Sequence, residues 1–351
     1  MKHIRTATLT AAFCLASCSD SDSASEDTSE ATSSGSTTTS GETDISDTTE
    51  DDGPPLGTVG SDGGTSTSGD TTGAVGSDTG GSETTGGVDA PYDTQPFTMT
   101  YAEGDFGIAG IEPDLPGEQF PVFVYVIGTN GDYVADHAMH WLETMAPRGF
   151  VAATVEYDNG LFSSCNHLRD RAQAIFAAED PESAAFGLCA RQSADCGRGI
   201  VVAGHSQGSL VALLAADFNP DVAAAVPTGT GYRLAGAVPN FAECIVEERV
   251  LPNDRVRAVT GASDPVWGGL DAKIQQLSAM TGEVCESSWD CTTDGHGWHL
   301  IPDRAVADSD ADHCFFAIGN DCSEELDPAW SQGQDPWAVP ALLDFLQSHT
   351  L

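Results

Sequence analysis

The chain has 351 residues and a formal net charge of −41, from 54 acidic and 13 basic side chains. That balance excludes a nucleic-acid-binding role, which needs a basic face against the phosphates. The acid is unevenly spread: 16 acidic and no basic residues fall in 19–90, and 38 acidic against 11 basic, about −27, fall from 91 onward.

The first 17 residues have a basic start, with Lys2 and Arg5, and an apolar middle over 7–16. The apolar stretch is too short to cross a bilayer, so it predicts a secretory signal peptide over 1–17. It ends Leu15-Ala16-Ser17-Cys18, which resembles the bacterial lipoprotein cleavage box. The resemblance implies that Cys18 becomes a lipidated mature N-terminus, with a plain signal peptide cut nearby as the alternative. By the same resemblance Ser19 leans toward an outer-membrane or cell-surface destination. The expected localisation is therefore export, either lipid-anchored to the cell envelope or secreted, with the lipid as the sole membrane contact.

Residues 18–90 are almost entirely Ser, Thr, Gly, Asp and Glu, with no aromatic residue. Such a stretch cannot bury enough apolar area to offset the entropy of ordering, so it predicts a disordered, self-repelling tether. As a flexible coil it would reach about 45–50 Å, and its charge would extend it.

From 91 to 351 the composition becomes globular and is long enough for one domain with a sizeable core. Its large negative charge suits solubility in salty surroundings, and stability rising with added salt would support a salt-adapted source. Segment 97–111 predicts early antiparallel strands. Residues 120–127 form a strand apolar on both faces, as at the centre of a parallel sheet. A Gly-containing loop over 128–131 follows, then a helix over 133–146 with Trp141, Leu142 and Met145 at helical spacing. A strand over 149–155, a helix over 168–178 and a strand over 200–203 come next. The run Gly204-His205-Ser206-Gln207-Gly208 then separates that strand from a helix over 209–216. Strands over 222–226, 255–260 and 298–301 and a closing helix over 337–347 complete the domain. The alternation implies an α/β domain with a mostly parallel central sheet and helices on both faces.

Eight cysteines fall in this domain, and an even count behind an export signal points to disulfides. Cys189–Cys196, Cys285–Cys291 and Cys314–Cys322 are the plausible local staples, which leaves Cys165 with Cys244. Structural zinc is disfavoured because no C-x-x-C pair is present. His296 and His299 have metal-pair spacing but no evident third ligand. No cofactor is expected.

A serine hydroxyl attacks only when a base takes its proton and the backbone presents it. A G-x-S-x-G turn between strand and helix does the presenting, with glycines allowing close packing. The order of elements around Ser206 resembles the α/β-hydrolase fold over roughly 97–350. The resemblance implies a triad in the order Ser, acid, His. Asp264, just past the 255–260 strand, is the expected acid, with Asp271 and Asp294 as competitors. His313 is the expected base, with His296 and His299 competing but placed before or within a strand, where side chains face the sheet and not its edge. The family pattern assigns one oxyanion donor to the backbone of Gln207 and the other to Thr129 or Asn130, and it turns His205 away from the triad.

The resemblance implies a serine esterase, lipase or cutinase-like enzyme. Only about 30 residues separate the strands near Val226 and Val256, so a helical cap should be small or absent. Tyr232, Phe241 and Trp267 either line the site or belong to the core. The expected substrate is an ester, lipid or polyester, and the expected state is a monomer. A peptidase or acyltransferase on the same fold, or an inactive hydrolase fold serving as a binding module, is the alternative. A bare disordered-tether adhesin is a third reading.

Overall fold

The computed structural model describes residues 91–236, 239–285, 289–318, 322 and 325–350. The signal peptide, Cys18 and the tether lie outside the described residues.

The chain enters through an antiparallel hairpin, β1 (Thr94–Tyr101) and β2 (Phe106–Pro113), at one edge of a nine-stranded sheet. Pro96 sits in the edge strand, where its missing N–H breaks no ladder. Strands β3 (Val122–Val126), β4 (Val151–Val155) and β5 (Ile200–His205) are buried at every position, as expected of strands covered on both faces. Strands β6 (Val222–Thr228), β7 (Arg257–Gly261) and β9 (His296–Ile301) continue the sheet in parallel. The order is β1-β2-β4-β3-β5-β6-β7-β9-β8, with β8 (Asp290–Thr293) antiparallel on β9 at the far edge.

The crossovers determine where the helices lie. From β3 the chain steps one way to β4 through α1 (Asp136–Met145). From β5 it steps the other way to β6 through α4 (Gln207–Leu213). Right-handed crossovers in opposite directions put α1 and α4 on opposite faces. Helix α2 (Cys165–Phe176) packs on α4 and α3 (Ala184–Cys189) on α2, while α6 (Pro328–Ser331) and α7 (Val339–Gln347) pack with α1. The α1 face is filled by Trp141, which stacks on Tyr125 at 5.5 Å and meets Trp330 edge-on at 6.0 Å.

Some elements depart from the sequence reading. Helix α5 (Leu270–Thr281) was not expected, because Lys273 and Gln276 interrupt its apolar side, yet both are buried. Strand β8 was also missed, being short and polar. The hairpin turn joining it to β9 is Asp294-Gly295, with φ of 50° and 90° at the two residues. A two-residue turn of this kind needs the left-handed conformations that Asp and Gly tolerate. Between β6 and β7 the described residues hold one π-helical turn (Glu243–Glu247) and one short 3-10 turn (Asn253–Arg255), so no helical cap stands there.

The four disulfides are Cys165–Cys244, Cys189–Cys196, Cys285–Cys291 and Cys314–Cys322, the pairing expected from spacing. No described helix is long and apolar enough to cross a membrane.

Candidate active site

Ser206 occupies the sharp turn between β5 and α4 with φ 55° and ψ −120°, a left-handed conformation costly for any residue with a Cβ. Close packing around it enforces the turn. A Cβ on Gly208 would strike the carbonyl oxygens of Val126 and Ile127, and one on Gly204 would strike the Gly208 carbonyl. The serine N–H is anchored on the Thr228 carbonyl at 3.0 Å. The residue itself stays partly exposed at the C-terminal edge of the sheet, where open α/β sheets present their ligand sites.

Asp264 lies just past β7 and is fully buried. Its Oδ1 accepts the Val266 N–H at 2.9 Å, and its Oδ2 meets the His313 Nδ1 at 2.7 Å. Burial leaves that carboxylate little water, so the imidazole N–H is a main partner for its charge. A proton on Nδ1 leaves Nε2 as the acceptor nitrogen. The carbonyls of Gly261 and Ala262, beside this turn, accept from the Lys273 ammonium, at 2.5 Å for Ala262. A Cβ on Gly261 would collide with the Ala311 carbonyl, so a glycine there lets the segment bearing His313 close over the end of β7.

His205, the last residue of β5, does not turn away from this group. Its ring lies 4.7 Å from that of His313, and its Nε2 is 3.2 Å from the His313 carbonyl oxygen. A carbonyl only accepts, so Nε2 carries the proton. Burial lowers the His205 pKa well below the ordinary histidine value, with His313 adding to the shift. The ring is therefore neutral. Trp267 flanks His313 from another side at 6.5 Å, with its Nε1 on the Gly229 carbonyl at 2.6 Å.

Among the described residues, neither Ser206 Oγ nor His313 Nε2 makes a hydrogen bond. Such contacts commonly tighten only when substrate is bound. The loop over 128–131 lies beside the serine, since a Cβ on Gly128 would sit 3.2 Å from the Ser206 Cβ. Within that loop the Asn130 N–H is already donated to the Asn159 carbonyl at 3.0 Å, whereas the Thr129 N–H meets no described acceptor. Of the two expected donors in this loop, Asn130 therefore has its N–H engaged by Asn159. Gln207, as the first residue of α4, has a backbone N–H with no intrahelical acceptor.

The competing residues are placed elsewhere. Asp271 is exposed in the first turn of α5, and Asp294 is exposed in the β8–β9 turn. His296 pairs with Glu283 at 3.0 Å. His299 is fully buried in β9 against the Arg257 guanidinium at 3.1 Å. Phe241 and Trp267 are core residues, and only Tyr232 keeps partial exposure. Among the described residues no group of three or more His, Cys, Asp or Glu side chains is placed to hold a metal.

Sequence reasoning missed Asn159, Tyr157 and the contact of His205 with His313. The available signal was the turn-forming run Asp158-Asn159-Gly160 directly past β4, on the same sheet edge as Ser206.

No family model matches the chain, and no curated protein matches it. Among solved structures it is similar to "Putative Dienelactone Hydrolase" from Klebsiella pneumoniae, at 14% identity and a TM-score of 0.40, over 73% of this chain and 96% of that one. The architecture itself is an α/β fold, a nine-stranded, mostly parallel sheet flanked by helices, and it is consistent with an α/β-hydrolase fold.

Proposed function

We propose that the chain is a serine hydrolase that cleaves carboxylic esters through an acyl-enzyme on Ser206. The observation that carries this is the strained Ser206 turn on the sheet edge that also bears the 2.7 Å His313–Asp264 pair. His313 Nε2 takes the serine proton as Oγ attacks the ester carbonyl. The Gln207 N–H and the loop over 128–131 receive the developing oxyanion. His313 then returns the proton to the departing alcohol, and water, deprotonated by the same nitrogen, releases the acid and restores Ser206. The Asp264 carboxylate holds the ring and offsets the imidazolium charge in each half-reaction.

The lack of a helical cap favours bulky or extended esters such as lipids or polyesters. The N-terminal segment supports anchoring of a monomer through a lipid on Cys18, and Cys18→Ser should abolish palmitate incorporation. Labelling with a fluorophosphonate probe tests the chemistry: wild type should label and Ser206→Ala should not. Folded wild type that resists the probe and a panel of esters would instead make the domain a binding module. Amide cleavage or acyl transfer outpacing ester hydrolysis would favour the peptidase or acyltransferase reading.

A further inference from the structure

Gly128, Thr129, Asn130 and Gly131 form a tight turn closed by the Gly131 N–H on the Gly128 carbonyl at 3.1 Å. Asn130 is left-handed, with φ 54°, and Thr129 is not, which is the type II pattern. Unaided, this turn would leave carbonyl oxygens facing a neighbouring loop. The Asn159 carboxamide fills that role: its single nitrogen donates to Gly128 O at 3.1 Å and Gly131 O at 2.8 Å. The Asn159 main-chain carbonyl accepts the Asn130 N–H at 3.0 Å. One residue thus engages both ends of the turn and its third N–H.

The same loop holds the other donor. The Tyr157 hydroxyl lies 2.7 Å from the Ile127 carbonyl and 3.1 Å from the Gln207 Oε1, and the Gln207 Nε2 donates to the Gly160 carbonyl at 2.9 Å. Gln207 is fully buried, so its side chain cannot exchange these partners for water.

We propose that Asn159 is a positioning residue for the oxyanion site: it consumes the Asn130 N–H and orients the turn so that the Thr129 N–H is the second donor. This rests on the ester-hydrolase reading. The chemistry requires an amide at this position. Aspartate would set a carboxylate oxygen against two carbonyls, and alanine would remove the side-chain donor from both, leaving Gly128 O only the Gly131 N–H.

Steady-state kinetics of Asn159→Ala and Asn159→Asp on a soluble ester, with inhibition by an alkylboronic acid, test the proposal. The boronate forms a tetrahedral adduct on serine and reports the oxyanion site. Both variants should lose about ten- to a hundredfold in kcat with KM within about threefold, and boronate affinity should fall in step. Thr129→Pro removes the proposed donor N–H at a turn position that accepts proline, so it should lose activity similarly, and combining it with Asn159→Ala should add little. Wild type that reacts with fluorophosphonate beside an Asn159→Ala variant of unchanged kcat and boronate affinity overturns the positioning role alone. Retained activity in a folded Thr129→Pro variant overturns the donor assignment. Wild type inert to probe and esters overturns the hydrolase reading and the proposal together.

Discussion

The rings of His205 and His313 face one another at 4.7 Å, and the first hydrogen-bonds to the main-chain carbonyl of the second at 3.2 Å. His205 therefore steadies the segment that carries His313. Its neutrality matters, because a charged neighbour would oppose protonation of His313 during turnover.

Replacing His205 with alanine should remove this support while leaving the serine and the acid in place. A lost neutral hydrogen bond is worth about 1 kcal/mol, or roughly a fivefold fall in kcat/KM, provided the turn survives. The rate should fall mainly in kcat. Equal turnover in wild type and a folded His205→Ala variant would deny the contact any functional weight.

Asp264→Asn preserves volume but turns a carboxylate into an amide facing the His313 Nδ1. The imidazole then loses both the partner for its charge and the reason to keep its proton on Nδ1. A fall in kcat of about a thousand- to ten-thousandfold is expected, with the protein still folded. A loss below tenfold would show that another acid serves His313.

The Cys165–Cys244 disulfide spans 79 residues and ties the start of α2 to the π-helical turn after β6. Chain-entropy arguments give it about 4–5 kcal/mol, against about 2–3 kcal/mol for Cys285–Cys291, which spans 6. Denaturant titration of the two paired Cys→Ser variants should reproduce that order. The reverse order would mean that local strain relief dominates over loop closure.

Acid should weaken the fold through its buried histidines. Burial lowers the pKa of His137 to about 4, and that of His299 likewise to about 4. The unfolded chain takes up these protons near pH 6.5, whereas the folded chain resists until about pH 4. Stability is therefore fully kept above pH 6.5 and declines as pH falls toward 4, by up to about 3 kcal/mol per histidine. Urea unfolding between pH 7 and 4.5 should show a shallower decline for His137→Gln than for wild type. Parallel curves would place the acid sensitivity elsewhere.

The Ser206 turn was legible in the sequence because everything that shapes it is local: a strand apolar on both faces, two glycines, and a helix that follows at once. The central strands were legible for the same reason, since a strand covered on both faces writes burial into every position. Strand β8 was not, being short and polar, and helix α5 was not, because its buried Gln276 is satisfied by the main-chain N–H groups of Tyr232 and Arg233, 43–44 residues earlier. Chain order sufficed to nominate Asp264 and His313, but only the packing of Ala311 onto Gly261 brings those two side chains together across 49 residues. Likewise no periodicity marks Asn159 as the partner of a turn 28 residues earlier, or His205 as the support of a loop 108 residues later. Backbone preferences act between neighbours and can be read from residue types. Hydrogen bonds between loops depend on where the assembled sheet delivers its strand ends, and that only the tertiary structure decides.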